Sequence, residues 1–255
     1  MAVVALTSAS GSPGVTTTAL GLALLWPRPV LLIEADPTGG SNLLAGYFRG
    51  LREYQAGLIE LALTAIDLAD ALAEVAQPIE GTSVSFVAGT RSHTQARAVR
   101  ELWAPLAEVL SEVEATGQDV IVDAGRLGLA GSPEPLLEAA DLTLLLARTT
   151  LPHLSALRSW AEAFQRDPLD WHQAGVLLVG EGQPYSAREV AGVVKLPVVA
   201  SLPEDPESAA VFSRGAQPPK RVETRPLARA LTAAIASIHS TIAERRNDLL
   251  EGTRS

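Results

Sequence analysis

The segment Ser10-Gly11-Ser12-Pro13-Gly14-Val15-Thr16-Thr17 has the outline of a loop that wraps an anion. Glycines let a backbone turn its N–H groups inward. A Ser or Thr after the last glycine offers its hydroxyl to a phosphate or to the metal that accompanies it. Against the pattern G-x-x-x-x-G-K-[ST], Gly14 and Thr16 take the places of the last Gly and the Ser/Thr, and Val15 stands where the Lys belongs. Three acidic segments follow: Glu34-Ala35-Asp36-Pro37-Thr38-Gly39-Gly40, Asp119-Val120-Ile121-Val122-Asp123-Ala124-Gly125 and Leu202-Pro203-Glu204-Asp205-Pro206. Their carboxylates are read at the C-terminal ends of strands, the edge of an open α/β sheet where ligands bind. Taken one at a time, the same residues have a plainer reading. Gly11 and Gly14 could form a tight turn, and Asp123 could cap a loop at the end of a strand.

The elements that must position these groups are legible as periodicity. Short apolar runs at 3–7, Val30–Glu34, 83–88, 120–123, 142–147, 176–179 and 198–201 read as strands. Several are apolar throughout, as strands covered on both faces must be. An apolar helical run over 18–25 follows the glycine loop, and helical spacing recurs at 95–114, 154–165, 186–193 and 227–245. Strands alternating with helices imply an α/β fold, a mostly parallel twisted sheet of about seven or eight strands with helices on both faces. Residues 1–213 are expected to form this domain and 214–226 a Pro-rich basic linker. Residues 227–246 are expected as an amphipathic helix packed on the same domain, and 247–255 as a tail. The stripe of that helix, Leu227, Leu231, Ile235, Ile238 and Ile242, carries no aromatic residue, which argues against peripheral membrane contact.

Composition narrows the classes. A net charge of −9 argues against a nucleic-acid protein and leaves at most nonspecific contact. The absence of Cys excludes disulfides, thiolate metal sites and a Cys nucleophile. Residues 1–26 carry no charged side chain, yet they lack a basic leader and are interrupted by Gly11, Pro13 and Gly14, so they do not read as a secretory signal. No other run is long enough to span a bilayer, and a cytoplasmic protein is expected. His93, His153, His172 and His239 have no metal-ligand spacing and read as ordinary surface or core residues. Arg91, Arg97 and Arg100, and Lys220, Arg221, Arg225 and Arg229 around the linker, read as solvated faces, with docking of an acidic partner as the sharper alternative.

Four segments in order resemble the ParA/MinD family of deviant phosphate-loop ATPases, over nearly the whole chain. The family's K-G-G-x-G-K-T-T aligns with residues 10–17, and its L-I-D-x-D-P-x-G with Leu32-Ile33-Glu34-Ala35-Asp36-Pro37-Thr38-Gly39. Its D-x-x-x-[DN] strand aligns with residues 119–123 and its L-P-x-D-P with 202–206. The resemblance implies a P-loop NTPase fold, ATP and magnesium as cofactors, protein partners and a homodimer. It implies that backbone N–H groups from Gly11 through Ser12, Gly14 and Val15 to Thr16 cradle phosphates, that Thr17 touches the α-phosphate, and that Pro203 joins the nucleotide site. It implies that Thr16 holds magnesium, that Asp123 does so through water, and that Asp36 orients the attacking water. Glu34 keeps the charge of the family's Asp on a longer arm.

Two family cations are missing. Val15 replaces the loop lysine, and Ser10 replaces the signature lysine that reaches the partner's nucleotide across a dimer. Pro13 also removes one N–H, and Ser12 replaces a glycine. A charge-assisted hydrogen bond is worth about 1.5–3 kcal/mol. Two of them, if additive, amount to about 10² to 10⁴ in affinity. The expectation is therefore a pseudo-ATPase that binds ATP and magnesium weakly or not at all and acts as a positioning or assembly scaffold. The missing loop lysine is also a looser resemblance to the pilus-localising TadZ/CpaE branch. The rival readings are an active partitioning ATPase and an interaction module without nucleotide.

Overall fold

The computed structural model describes residues 2–11, 13–112, 117–166 and 174–252. Eight strands, β1 (Val3–Ser8), β2 (Val30–Glu34), β3 (Gln77–Pro78), β4 (Val84–Val87), β5 (Asp119–Arg126), β6 (Leu142–Arg148), β7 (Ala174–Val179) and β8 (Val198–Leu202), form one sheet in the order β3-β4-β2-β5-β1-β6-β7-β8. Every neighbouring pair is parallel except β3, a two-residue strand that runs antiparallel to β4 at the edge. The helices are α1 (Val15–Leu25), α2 (Leu58–Ala62), α3 (Leu68–Val75), α4 (Trp103–Glu112), α5 (Glu134–Ala139), α6 (Leu151–Arg166), α7 (Ala187–Val194), α8 (Pro206–Arg214) and α9 (Pro226–Gly252).

The period of two along each strand feeds two cores. In β1, Val3 and Ala5 join Trp103, Leu106 and Leu157 on one side of the sheet, while Val4 and Leu6 join Leu20, Phe212 and Ile238 on the other. Nearly continuous apolar strands follow from this double burial. The central position of β1, hydrogen-bonded to β5 and β6, brings its C-terminal end beside the ends of both.

Three expectations need correction. The helix expected over 95–114 begins later. Turns lead to a 3-10 turn at Arg100–Leu102, and α4 starts at Trp103. Pro105 lies in its first turn, where a proline ring is tolerated, whereas an α-helix continued upstream would clash with the ring. Residues 113 and 114 of that expected helix lie outside the described residues. The C-terminal helix runs on to Gly252, so residues 247–252, expected as tail, continue α9. Its stripe, Leu227, Leu231, Ile235, Ile238 and Ile242, is buried against the sheet and α1.

Asp119, grouped by sequence with the site carboxylates, instead begins β5 at the opposite edge of the sheet. Its fully buried carboxylate accepts from Trp26 Nε1 and Ala2 N, both at 2.8 Å, with Arg28 Nη1 at 3.5 Å. It ties the end of α1 and the start of β1 to β5. Removing it would strand two buried donors and take a partner from the half-exposed Arg28, so Asp119→Ala is expected to lower unfolding stability by about 3 kcal/mol. Urea denaturation checks this; a loss under about 1 kcal/mol would contradict the anchoring role.

Candidate functional site

The chain leaves β1 through Gly11, at φ +67°, and enters α1 through Gly14, at φ +98°. Gly14 is the N-cap of α1 and carries no side-chain cap, so the first-turn N–H groups point from the positive end of the helix without a side-chain partner. A helix terminus of this kind can receive an anion. Thr16 and Thr17 are half-buried and Pro13 is buried; Ser12 lies outside the described residues. Val15 is 7% exposed and belongs to the core beside α1. The position that would carry a lysine toward phosphate is thus an apolar packing position.

The acidic groups converge on the same end of the sheet. Glu34 and Asp123 are register partners on β2 and β5, and Asp123 is the partner of Leu6 on β1. Asp123 is buried. One carboxylate oxygen accepts the Gly125 N–H at 3.1 Å, and the other, Oδ2, is fully enclosed without a hydrogen-bond partner among the described residues. Burial pushes its pKa up to about 7, against the pull of the nearby Thr16 hydroxyl, and the charges of Glu34 and Asp36 push it further. Asp36 follows β2. Its Oδ1 accepts from the N–H and hydroxyl of Thr38, both at 2.8 Å. Its carboxylate lies flat on Gly125, where a Cβ would come within 2.3 Å of Asp36 Cγ, so only glycine fits there. Gly14, Thr16, Asp36 and Asp123 therefore share one end of the sheet, as the sequence spacing implied.

Glu34 has another task. It is buried and accepts from Ser41 Oγ, Leu43 N and Gly89 N. Burial raises its pKa, against the pull of these three hydrogen bonds to the loops after β2 and β4. It ties those loops together rather than facing a ligand.

Beside the loop lies a cleft of about 380 Å³, a size that suits a small ligand. Gly14 and Thr17 form one wall, Pro203 and Asp205 the other, and Val179 and Leu202 are apolar positions in its lining. Asp205 is also the cap of α8, accepting from Ser208 N and Oγ, which lowers its pKa. Two groups near the loop escaped the sequence reading, one in the cleft lining and one against Gly11. Arg148, the last residue of β6, pairs across the cleft with Glu204. His153, on the first turn of α6, abuts Gly11 of the loop. Neither has a local sequence signal, because topology alone brings β6 and α6 beside β1. Of the arginines read as solvated or docking groups, Arg91 is engaged with Glu60 at 3.1 Å and stacks over Tyr54, and Arg225 pairs with Glu207.

Known structures share this architecture. MinD of Pyrococcus horikoshii OT3 in complex with Mg-ADP superimposes with a TM-score of 0.71 at 17% identity, over 93% of this chain and 95% of that one. MinD in the MinC:MinD cell division protein complex of Aquifex aeolicus gives 0.72 at 16% identity, over 94% and 96%. A ParA family ATPase from Chlorobium tepidum TLS gives 0.72 at 14% identity, over 92% and 98%. The fold is that of the MinD and ParA ATPases. Neither a protein-family model nor a curated protein matches the sequence. No helix among the described residues is long and apolar enough to cross a membrane.

The Pyrococcus horikoshii MinD was solved with Mg-ADP, and the chemistry of the residues at this corner would suit a magnesium ion with phosphate. The enclosed Asp123 Oδ2 lacks a partner, Thr16 is beside it, and an uncapped helix terminus faces the same space. Among the described residues no three His, Cys, Asp or Glu side chains form a metal site by themselves, so a cation there would draw most of its ligands from phosphate and water. When bound, magnesium neutralises phosphate charge; Asp123 and Thr16 would hold it.

Asp123 also leaves a signature on stability. Its folded pKa of about 7 lies above its ordinary 3.8, so the fold holds the proton more tightly than the unfolded chain. That contribution is complete below pH about 4 and is lost as pH rises through about 7. Asp123→Asn is expected to flatten this fall and to raise the melting temperature at pH 8 by several degrees. Thermal melts from pH 4 to 8 test it; identical melting of both proteins at pH 8 would contradict it.

Proposed function

We propose that this protein is a ParA/MinD-like scaffold that binds a magnesium nucleotide weakly, hydrolyses it at no more than a trace rate, and positions or assembles partner proteins. The observation that carries the reading is the contrast between an intact cradle and an absent cation. The helix terminus, Thr16 and the unpartnered Asp123 oxygen remain, while Val15 is packed into the core. Cationic groups act where charge develops in phosphoryl transfer, so their loss weakens hydrolysis at least as much as binding. Asp36 is still placed to orient a water, but with its charge unbalanced by a loop lysine. The likeness to a MinD solved with Mg-ADP supports a nucleotide as ligand. The likeness to a MinD solved with MinC supports a protein partner and, with the family resemblance, a homodimer. A place near the TadZ/CpaE branch would make the process pilus assembly; partitioning is its rival.

Isothermal titration with Mg-ATP followed by steady-state phosphate release tests the reading. Binding with trace turnover is expected. Turnover typical of the family, abolished by Asp36→Ala, would overturn it, and no binding at millimolar Mg-ATP would favour an interaction module.

Val15→Lys gives a second test. Side chains in a first helical turn lean toward the helix N-terminus, so a lysine stem can pass through the space of Val15 and bring its ammonium to the loop. Mg-ATP should bind about tenfold more tightly or better, while the free protein melts at a lower temperature because apolar packing at a 7% exposed position is lost. Unchanged affinity in a folded variant would mean that loop geometry, and not charge alone, has departed from the ATPases.

A further inference from the structure

His153 meets the phosphate loop end-on. The atom nearest the position that a Cβ on Gly11 would occupy is His153 Nε2, at 2.7 Å, closer than any side chain could tolerate. The other ring nitrogen, Nδ1, lies 2.8 Å from Thr150 Oγ1. With the Thr150 hydroxyl donating to Nδ1, the neutral ring carries its proton on Nε2; in the imidazolium both nitrogens carry one. Both forms present an N–H donor beside Gly11. The ring is half-buried, and among the described residues Nε2 has no hydrogen-bond partner. The loop it faces has Ser10 and Val15 at the positions where a lysine would serve, and Val15 is turned into the core.

We propose that His153 is the side-chain donor that contacts the phosphates of a nucleoside polyphosphate in this site, with Thr150 as the residue that positions its ring. The inference rests on the nucleotide-binding reading above. It explains why a donor is oriented at the loop by a dedicated hydroxyl, and why the residue beneath it is a glycine. A histidine serves a polyphosphate here where Val15 cannot: it reaches the loop from α6, outside the core position that the side chain of residue 15 fills. Contact through Nε2 is a hydrogen bond to a charged oxygen, worth about a 10- to 100-fold change in affinity.

The test combines Mg-ATP titration calorimetry with imidazole ¹⁵N spectra of the full-length protein. His153→Ala should weaken Mg-ATP binding about 10- to 100-fold. His153→Gln, which keeps a terminal N–H donor, should recover part of the loss, and Thr150→Val should fall between wild type and His153→Ala. In wild type at constant pH, the His153 Nε2 resonance should move on saturation with Mg-ATP. Equal affinity of wild type and a folded His153→Ala would overturn the proposal and leave the nucleotide reading standing. A stationary Nε2 resonance at saturation would overturn it even if the variant binds poorly, because the role would then be packing. Absence of Mg-ATP binding by wild type would overturn the nucleotide reading and this proposal with it.

Discussion

Asp123 carries a buried carboxylate oxygen that nothing in the described protein satisfies, at the meeting point of β1, β2 and β5. An isolated buried charge is expensive, and a carboxyl in such a place drifts toward its neutral form unless a cation arrives. The surrounding structure leaves that oxygen enclosed and unpaired among the described residues. β1 ends beside it and turns through glycines into the uncapped N-terminus of α1. Asp36 lies on Gly125, two residues beyond it, and Glu34 is held back by three hydrogen bonds that knit the adjoining loops. A fold selected for stability alone would neutralise this corner. The cost to stability at this corner is of the kind that desolvated functional groups commonly carry.

The loop beside this corner, residues 10–17, carries no Lys or Arg, while the carboxylates Glu34, Asp36 and Asp123 are present. Val15 contributes to the core beside α1, at the position where the resembling pattern has a lysine. Binding of the proposed nucleotide would rest on backbone dipoles, hydroxyls and any cation delivered with the ligand. Those groups suit holding a polyanion better than stabilising the extra charge of a transition state. These are the properties that the proposed scaffold, holding a nucleotide without rapid turnover, requires.

Much of this was legible in the sequence. β1, β2, β5, β6 and β7 are buried on both faces and read as unbroken apolar runs, and the residues next to their C-terminal ends are the ones that line the site. Gly14, Thr16, Asp36 and Asp123 could be placed because each is local to a strand end. What escaped is what depends on packing between distant elements. β3 is two residues long and has no periodicity to read. Asp119 shares a strand with Asp123 and an acidic type, yet lies at the other end, where Trp26 and the Ala2 N–H claim it. Val15 looked like a vacancy in a motif and proves to be a core residue. His153 and Arg148 carry no motif at all; the sheet order sets the end of β6, with Arg148, beside β1 and the cleft, and α6 brings His153 to Gly11.

The central claim is that a working anion cradle persists without its lysines. Hydrogen–deuterium exchange of the full-length protein, with and without millimolar Mg-ATP, tests it most directly. The account predicts slower exchange on ligand addition for the peptides that contain Gly11 to Thr18, Asp123 to Arg126 and Leu202 to Asp205, with the rest of the sheet unchanged. Unaltered exchange across all three segments at saturating Mg-ATP would contradict it.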